Sequence, residues 1–209
     1  MIVSAEGEGS FGRQTIEAEA AARPRKPRAD GIRNRERLMA AAKAGFAELG
    51  PEVSLEEVAR RAGVGIGTLY RHFPTRDALI QAVYRREVEQ LAEAATRLVA
   101  ERSPGEALHE WMRLFVDYIA TKRVIAPALG AMSSGTSELY ALSGLRITDA
   151  TTLLVERARA SGDIRPDIEP ADVLRGLVGI TYGNTDPAWQ ASAKRLVEIL
   201  MSGLRAPDR

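Results

Sequence analysis

The chain lacks cysteine altogether, and it has only two histidines and no long apolar run. Without cysteine it can form neither disulfides nor thiolate metal sites, and a cysteine nucleophile is excluded. No segment approaches the roughly 20 consecutive apolar residues of a membrane-spanning helix. The first residues, MIVSAEGEGS, lack the basic start and apolar core of a secretory signal. These absences predict a cytoplasmic protein.

Motifs of catalysis and of cofactor binding are also missing. His72 and His109 have no partner at a metal-ligand spacing. The glycines of Gly63-Val64-Gly65-Ile66-Gly67 are not preceded by a predicted strand, as a phosphate-binding loop would be. Neither Ser133-Ser134-Gly135 nor Ser143-Gly144 follows a strand as a nucleophile elbow does. We therefore expect no catalytic residue, no metal, no cofactor and no enzymatic activity.

The net charge of +1 hides an uneven distribution at the N-terminus. Residues 1–22 carry an acidic excess, whereas residues 23–37, which include Arg28 and Arg33, carry a basic one. A basic block of this kind suits an arm that contacts the DNA backbone or minor groove. The alternative is a solvated, disordered charge run, because the stretch Arg-Pro-Arg-Lys-Pro-Arg favours extended, mobile chain. Residues 1–30 are expected to form a disordered tail that contains this basic arm.

Residues 54–73, SLEEVARRAGVGIGTLYRHF, read as two short helices joined by a tight turn. Ser54 precedes Glu57 by three residues, the spacing of a capping box, so a helix should begin there. Gly63 supplies the permissive backbone of the turn. Ala59 is small at the expected crossing point, and Val64 and Leu69 fill the angle between the helices. The pattern predicts a helix-turn-helix.

The side chains after the turn favour DNA as a partner over a helical hairpin that merely packs. The second helix presents hydroxyl, guanidinium and imidazole groups that suit phosphates and base edges in a major groove. The residues of this helix that are expected to contact DNA are Ile66, Gly67, Thr68, Tyr70, Arg71 and His72. Ser54 is a further phosphate contact, and Arg71 is the most plausible reader of guanine.

AGVGIGTLYRHFPTRDAL, together with the preceding ERLMAAAKAGFAELG, resembles the DNA-binding domain of the TetR family of bacterial transcriptional regulators. The resemblance covers roughly residues 33–85, and GTLYRHF is its sharpest part. It implies an all-α protein with an N-terminal three-helix helix-turn-helix domain, residues 31–76, and a C-terminal helical bundle, residues 77–209, that binds an effector and dimerises. It also implies a phosphate contact for Arg76, whose alternative is a surface charge paired with Asp77 or Glu57. Gly65 stands where family members often have Ser or Thr, so a phosphate-binding hydroxyl is missing there.

Apolar spacing and capping residues place the remaining helices. The expected spans are Ile32–Leu49, Thr75–Ala100, Ser103–Lys122, Ala126–Met132, Ser137–Ala160, 170–183 and 187–204. Pro187 is expected at the first position of the last helix, after Asp186 as its cap. The helix after Ser103 has a wide apolar face that could pack several helices or line a cavity. Seven residues are expected to line an effector pocket: His109, Trp111, Phe115, Tyr118, Met132, Tyr140 and Tyr182. For each of them, packing in the hydrophobic core is the alternative.

The last two helices carry more apolar surface than one neighbour requires. They are expected to pair with their copies as a four-helix bundle, as the family resemblance also implies, the alternative being intramolecular packing. The interface residues would be Leu174, Leu177, Val178, Trp189, Leu196 and Leu200.

The sequence therefore predicts a homodimeric DNA-binding regulator. Repression relieved by a small, apolar or aromatic effector is favoured. Two alternatives stay open: a ligand-independent DNA-binding dimer with a protein partner, and an all-helical enzyme reusing the scaffold.

Overall fold

The computed structural model describes residues 27–130, 136–183 and 186–206, and these residues form eight α-helices. The helices are α1 (Pro27–Leu49), α2 (Leu55–Ala62), α3 (Ile66–His72), α4 (Arg76–Glu101), α5 (Pro104–Gly130), α6 (Thr136–Ser161), α7 (Pro170–Tyr182) and α8 (Trp189–Leu204). Most of the expected tail, Met132 and the side chain of Arg28 lie outside the described residues. None of the helices in this part of the chain is long and apolar enough to cross a membrane.

Helix α1 begins earlier than the sequence suggested, at Pro27 rather than Ile32. Proline suits a first helical turn because its missing N–H would have no partner there. Asp30 places a carboxylate in the same turn, where the helix dipole favours negative charge. The extended conformation expected for the end of the basic stretch is therefore wrong from Pro27 onward.

Helix α4 connects the helix-turn-helix to the rest of the protein. Thr75 caps it as predicted, its Oγ1 accepting a hydrogen bond from the Ala78 N–H at 3.1 Å. The helix then runs for 26 residues, roughly 40 Å at the usual rise per residue. Its buried face packs on α1, α5 and α6, so the helix that follows α3 in the chain is also part of the C-terminal bundle.

Two of the predicted helix boundaries are wrong. The helices expected at Ser103–Lys122 and Ala126–Met132 form one continuous helix, α5, with Pro127 inside it. Ile125 and Leu129 are fully buried and continue the apolar stripe, so packing outweighs the hydrogen bond that Pro127 cannot make. Helix α8 begins at Trp189, because the Asp186 carboxylate accepts from the Ala188 N–H at 2.7 Å in a turn before the helix instead of capping it at Pro187.

An ion pair between a half-exposed lysine and a buried carboxylate joins α1 to α4. Lys43 Nζ lies 2.7 Å from a carboxylate oxygen of Glu87, a side chain that is only 9% exposed. Beside it, Arg86 lies 3.6 Å from Glu36, so a second contact follows the same seam. Because a buried carboxylate is costly without a partner, these contacts resist sliding of α1 along α4.

We expect Lys43→Met to lower the free energy of unfolding by about 1–3 kcal/mol, because Glu87 is left buried and unpaired. The double variant Lys43→Met/Glu87→Leu should recover part of that loss, since it removes both charges. Urea unfolding at one fixed protein concentration measures the cycle, with Arg85→Met, an exposed α4 position, as the control. Strictly additive losses would show that the two side chains are not energetically coupled.

Candidate nucleic-acid interface

The turn between α2 and α3 is built by two local devices that the sequence predicted. The Ser54 hydroxyl caps α2 by accepting a hydrogen bond from the Glu57 N–H at 3.1 Å. Gly63 ends α2 in the left-handed conformation, with φ 62° and ψ 40°. Glycine adopts this backbone without the steric cost that a Cβ would add. Gly65 then caps α3 without a side-chain hydrogen bond.

Glu57 organises the outer side of α2. Its carboxylate accepts hydrogen bonds from Arg60, at 2.7 and 2.6 Å, and from Arg61, at 2.8 Å. These bonds lower the pKa of Glu57 to about 2. Arg61 also reaches Glu48 of α1 at 2.6 Å, so the network fastens α2 to α1. The Glu57 carboxylate is therefore committed to the two arginines.

Helix α3 has one buried side and one exposed side. Leu69 is fully buried in the angle between the helices, whereas Ile66 and Tyr70 are 38% and 45% exposed. Arg71 is exposed, and its guanidinium donates to the Thr68 hydroxyl at 3.0 Å. Gly67 is exposed beside them, with no heavy atom within 4 Å of the place a Cβ would take. The exposed side presents an apolar, a phenolic and a guanidinium group together, which suits a groove of DNA.

The other residues predicted to contact DNA differ in their exposure and in the contacts that they already make within the protein. Ser54 is exposed but holds the α2 cap. His72 is half-buried, with its ring next to Phe73. Arg33 is ion-paired with Asp30 on its own helix. Arg76 donates to the Pro51 carbonyl oxygen, a contact that differs from the expected alternatives of Asp77 and Glu57.

Two arginines of the basic block, Arg35 and Arg37, bind the protein itself. The Arg35 guanidinium lies 4.9 Å from the centre of the Phe73 ring, directly after α3, and donates to the Met39 sulfur at 3.1 Å. Arg37 donates at 3.5 Å to the Gly63 carbonyl oxygen in the turn. Sequence reasoning gave these residues no separate role. Arg35 thus holds α1 against the end of α3, and Arg37 holds it against the turn.

Comparison with known proteins agrees with this geometry. Residues 38–83 match the model of "Bacterial regulatory proteins, tetR family", and residues 103–206 match "Transcriptional regulator SbtR-like, C-terminal domain". The structure of TetR transcriptional regulator SCO0520 from Streptomyces coelicolor is 44% identical, with a TM-score of 0.76, and the alignment covers 83% of this chain and 99% of that one. The chain belongs to the TetR family of DNA-binding transcriptional regulators.

Two curated relatives of this TetR-family chain are regulators as well. HTH-type transcriptional regulator UidR of Escherichia coli K12 is 28% identical over 164 residues, which cover 71% of this chain and 78% of UidR. HTH-type transcriptional repressor Rv1474c of Mycobacterium tuberculosis is 28% identical over 179 residues, which cover 78% of this chain and 90% of Rv1474c.

The structure does not bring all the expected pocket residues of this TetR-family protein together. Trp111, Phe115 and Tyr118 are buried side by side, and the Trp111 N–H donates to the Leu91 carbonyl oxygen at 2.9 Å. Tyr140 continues this group through Tyr84, a residue that the sequence reading did not single out. Tyr182 is 48% exposed at the end of α7. His109 lines a separate cavity near the start of α5.

Burial raises the pKa of the Tyr118 phenol, whose hydroxyl lies 3.2 Å from that of Tyr84. Burial also raises the pKa of Tyr140 and lowers that of Lys122, whose ammonium lies 5.3 Å from the centre of the Tyr140 ring. The aromatic group thus has phenol hydroxyls inside and the amine of Lys122 at its edge.

The residues expected at a dimer interface do not all face outward. Val178 and Leu196 are exposed, and Leu174, Trp189 and Leu200 are half-buried. Leu177 is fully buried in the core of its own chain, so its place on an exposed interface is wrong. The 3–4 spacing on α7 left its inward and outward sides hard to separate by sequence. Ile199, which the sequence reading omitted, is 67% exposed on α8.

Arg35→Met should weaken binding to a DNA fragment selected by the protein by about two- to fivefold, the value of one exposed cation–π contact. Because Arg35 contacts Phe73 and Met39, the dependence of affinity on salt should stay unchanged. An arginine that neutralised a phosphate would instead change the log–log salt slope by about 0.9 when removed. Fluorescence anisotropy across a salt series measures both quantities, with Arg157→Met on exposed α6 surface as the control.

Proposed function

We propose that this TetR-family regulator acts as a homodimeric repressor, in the cytoplasm where the chromosome lies, and is released from its operator by a small effector. Residues 31–76 serve as its DNA-binding domain and residues 77–209 as its effector-binding and dimerisation domain. The observation that carries the proposal is the exposed side of α3, with Ile66 and Tyr70 outward and Leu69 fixed in the core beneath them.

On the operator, α3 lies in the major groove. Arg71 reads guanine as its guanidinium exchanges the Thr68 hydroxyl for the paired acceptors of the base edge. Ile66 and Thr68 lie against neighbouring base edges, and Gly67 lets the helix approach closely. His72 faces a base or the adjacent backbone.

Phosphate contacts supply most of the affinity, and therefore its salt dependence. Tyr70 and Ser54 donate hydroxyl hydrogen bonds to the backbone on either side of α3. Arg76 stands at the N-terminus of α4, where free N–H groups also favour an anion. Arg28 and Arg33 extend the contact from the start of α1, and for Arg33 this means exchanging Asp30 for a phosphate.

The dimer forms through α7 and α8. The two helices approach closely where Gly176 faces Leu200, since a Cβ at Gly176 would lie 3.6 Å from a Leu200 methyl. Their outward apolar side chains include Val178, Leu196 and Ile199, and exposed apolar surface of this kind marks protein interfaces. A two-fold pair of such faces makes a four-helix bundle and sets the two copies of α3 about one DNA turn, or a multiple of it, apart.

Two further observations support the proposed repression and its release by an effector. The relative Rv1474c bears the name of a transcriptional repressor. The buried aromatic group Trp111, Phe115, Tyr118 and Tyr140 lies on α5 and α6, which pack on α4. An apolar or aromatic effector inserted there would shift α4 and the spacing of the α3 helices, by no more than its preference for the shifted state.

Replacing Tyr70 by Phe and Arg71 by Ala together should weaken binding to the DNA upstream of the protein's own gene by about tenfold or more, since one bidentate base contact is worth about 1–3 kcal/mol. Anisotropy across a salt series measures the affinity, and Arg157→Ala is the control for the loss of one positive charge. Equal affinity of the protein for this DNA and for random DNA, unchanged in the double variant, would contradict the role of α3 at that operator.

The variant Leu196→Glu/Ile199→Glu should dissociate the dimer, because four carboxylates would meet in an apolar interface. Sedimentation velocity measures the mass of the particle, and circular dichroism checks that the helices remain. Leu145→Glu, at a 63% exposed position on α6, is the matched control. A dimer that survives the α8 changes but dissociates with the α6 change would move the interface to α6.

A further inference from the structure

A large cavity between the described residues lies away from both α3 and the aromatic group. It has a volume of about 930 Å³, within the range of small-molecule sites. It forms where α5 begins, α6 ends and α8 ends, at the far end of the bundle from the first turn of α4. The lining includes His109, which the sequence analysis expected in one pocket with Trp111 and Phe115.

The walls of this cavity are fixed by hydrogen bonds. Ile164 and Arg205 form an antiparallel bridge, with the Arg165 N–H donating to the Leu204 carbonyl oxygen at 2.9 Å. The Asp163 carboxylate accepts from the Gly105 N–H at 2.8 Å. The segment after α6 is thereby tied to both α8 and α5. A cavity with tied walls loses little conformational entropy when a ligand binds.

The two carboxylates in the lining are already occupied by the N-terminus of α5. Glu106 accepts from the Ser103 N–H and hydroxyl, at 3.3 and 2.7 Å, and these bonds lower its pKa. Asp163 is bound to the Gly105 N–H of the same helix end. The partial positive charge of a helix N-terminus offsets such carboxylates, so their repulsion of a bound anion is reduced.

The two arginines among the lining residues are less committed than these carboxylates. Arg159 pairs at 3.0 and 4.0 Å with Glu156 and Glu169, both exposed and outside the lining. Arg205 forms no ion pair with any described residue. Exposed ion pairs contribute little free energy to stability, so the carboxylate of a ligand could replace the partners of Arg159 at a small free-energy cost. The same carboxylate could bind Arg205 without displacing a partner.

His109 closes one side of the lining. Its Nε2 lies 2.8 Å from a carboxylate oxygen of Glu198, which Arg113 also binds. Burial acts against the charge of Glu198, but the hydrogen bond from Arg113 and the close contact with the His109 imidazole outweigh it and lower the pKa of this carboxyl. The charge of Glu198 is thereby offset by Arg113, and Glu198 does not line the cavity.

We propose that this cavity, which we call the distal cavity, binds a small organic carboxylate with an apolar body. The carboxylate is held by Arg159 and Arg205, a pairing for which guanidinium geometry is well suited. The apolar body lies against Ile164, Met201 and Pro166 of the same lining. The site depends on the geometry of the bundle alone and is separate from the effector position given above.

Isothermal titration calorimetry of the full-length protein without DNA tests the site. The probes are acetate, butanoate, hexanoate, octanoate and benzoate, with hexanamide and benzamide as uncharged counterparts. We expect the longer acids or benzoate to bind at least about tenfold more tightly than the matching amide, because hydrogen bonds to a charged group are the stronger ones. Acetate should bind least, since it lacks the apolar body.

Two kinds of variant locate the binding. Arg159→Gln/Arg205→Gln should weaken carboxylate binding by about tenfold or more, whereas Arg157→Gln, exposed on the same helix and outside the lining, should not. Ala206→Trp keeps both arginines but fills the cavity from its edge, and it should abolish binding. Circular dichroism checks that each variant folds.

Equal binding of acid and amide, carboxylate binding unchanged in the arginine double variant, or no binding of any acid would each overturn the distal site. DNA binding is measured separately on the same variants. A failure of the carboxylate site with intact operator binding is therefore distinguishable from a failure of the proposed regulator function.

Discussion

The recognition surface depends on the packing of Leu69 beneath a helix too short to stand alone. Helix α3 has seven residues, well under the roughly 12–15 at which an isolated helix becomes even marginally stable. Its orientation is therefore set by what lies under and around it. Leu69 and Phe73 are buried, Gly63 turns the chain, and Arg35 stacks on Phe73 from α1. Because these contacts fix the buried side of α3, Tyr70 and Arg71 are held on its exposed side.

The same dependence links DNA binding to the C-terminal helices. Arg76, in the first turn of α4, bonds to Pro51 between α1 and α2, and Glu87 further along α4 pairs with Lys43 of α1. These two contacts couple the position of α4 to that of the helix-turn-helix. Any ligand that changes how α4 lies on α5 and α6 would change the distance between recognition helices in a dimer. The size of that change is limited by the ligand's differential affinity for the two arrangements.

The features that sequence reasoning located correctly are local ones. Ser54, Gly63 and Thr75 act within three residues of their own positions, as N-caps and a left-handed C-cap, and the structure confirms each. Glu106 reaches back to Ser103 at the start of α5, again across three residues. The family itself followed from the same stretch, because a helix-turn-helix needs its small, turning and exposed residues at fixed spacing.

What sequence reasoning missed depends on contacts between distant segments. Arg35 appeared to be part of a basic arm because Phe73 stands far away in the chain. Leu177 appeared available to a partner because spacing alone does not say which side of α7 meets its own core. His109 was grouped with Trp111, although two residues along a helix point in different directions. The continuity of α5 through Pro127 likewise depends on burial of Ile125 and Leu129.

The most direct test of the central claim is a hydroxyl-radical footprint of the protein on genomic DNA fragments that it selects. If two copies of α3 occupy successive major grooves, the footprint should show two related protected half-sites with centres about 10 base pairs, or a multiple of that, apart. The protection should disappear when Tyr70 and Arg71 are replaced together. Protection of a single site with no two-fold relation, or a footprint that survives this replacement, would contradict recognition by the paired α3 helices.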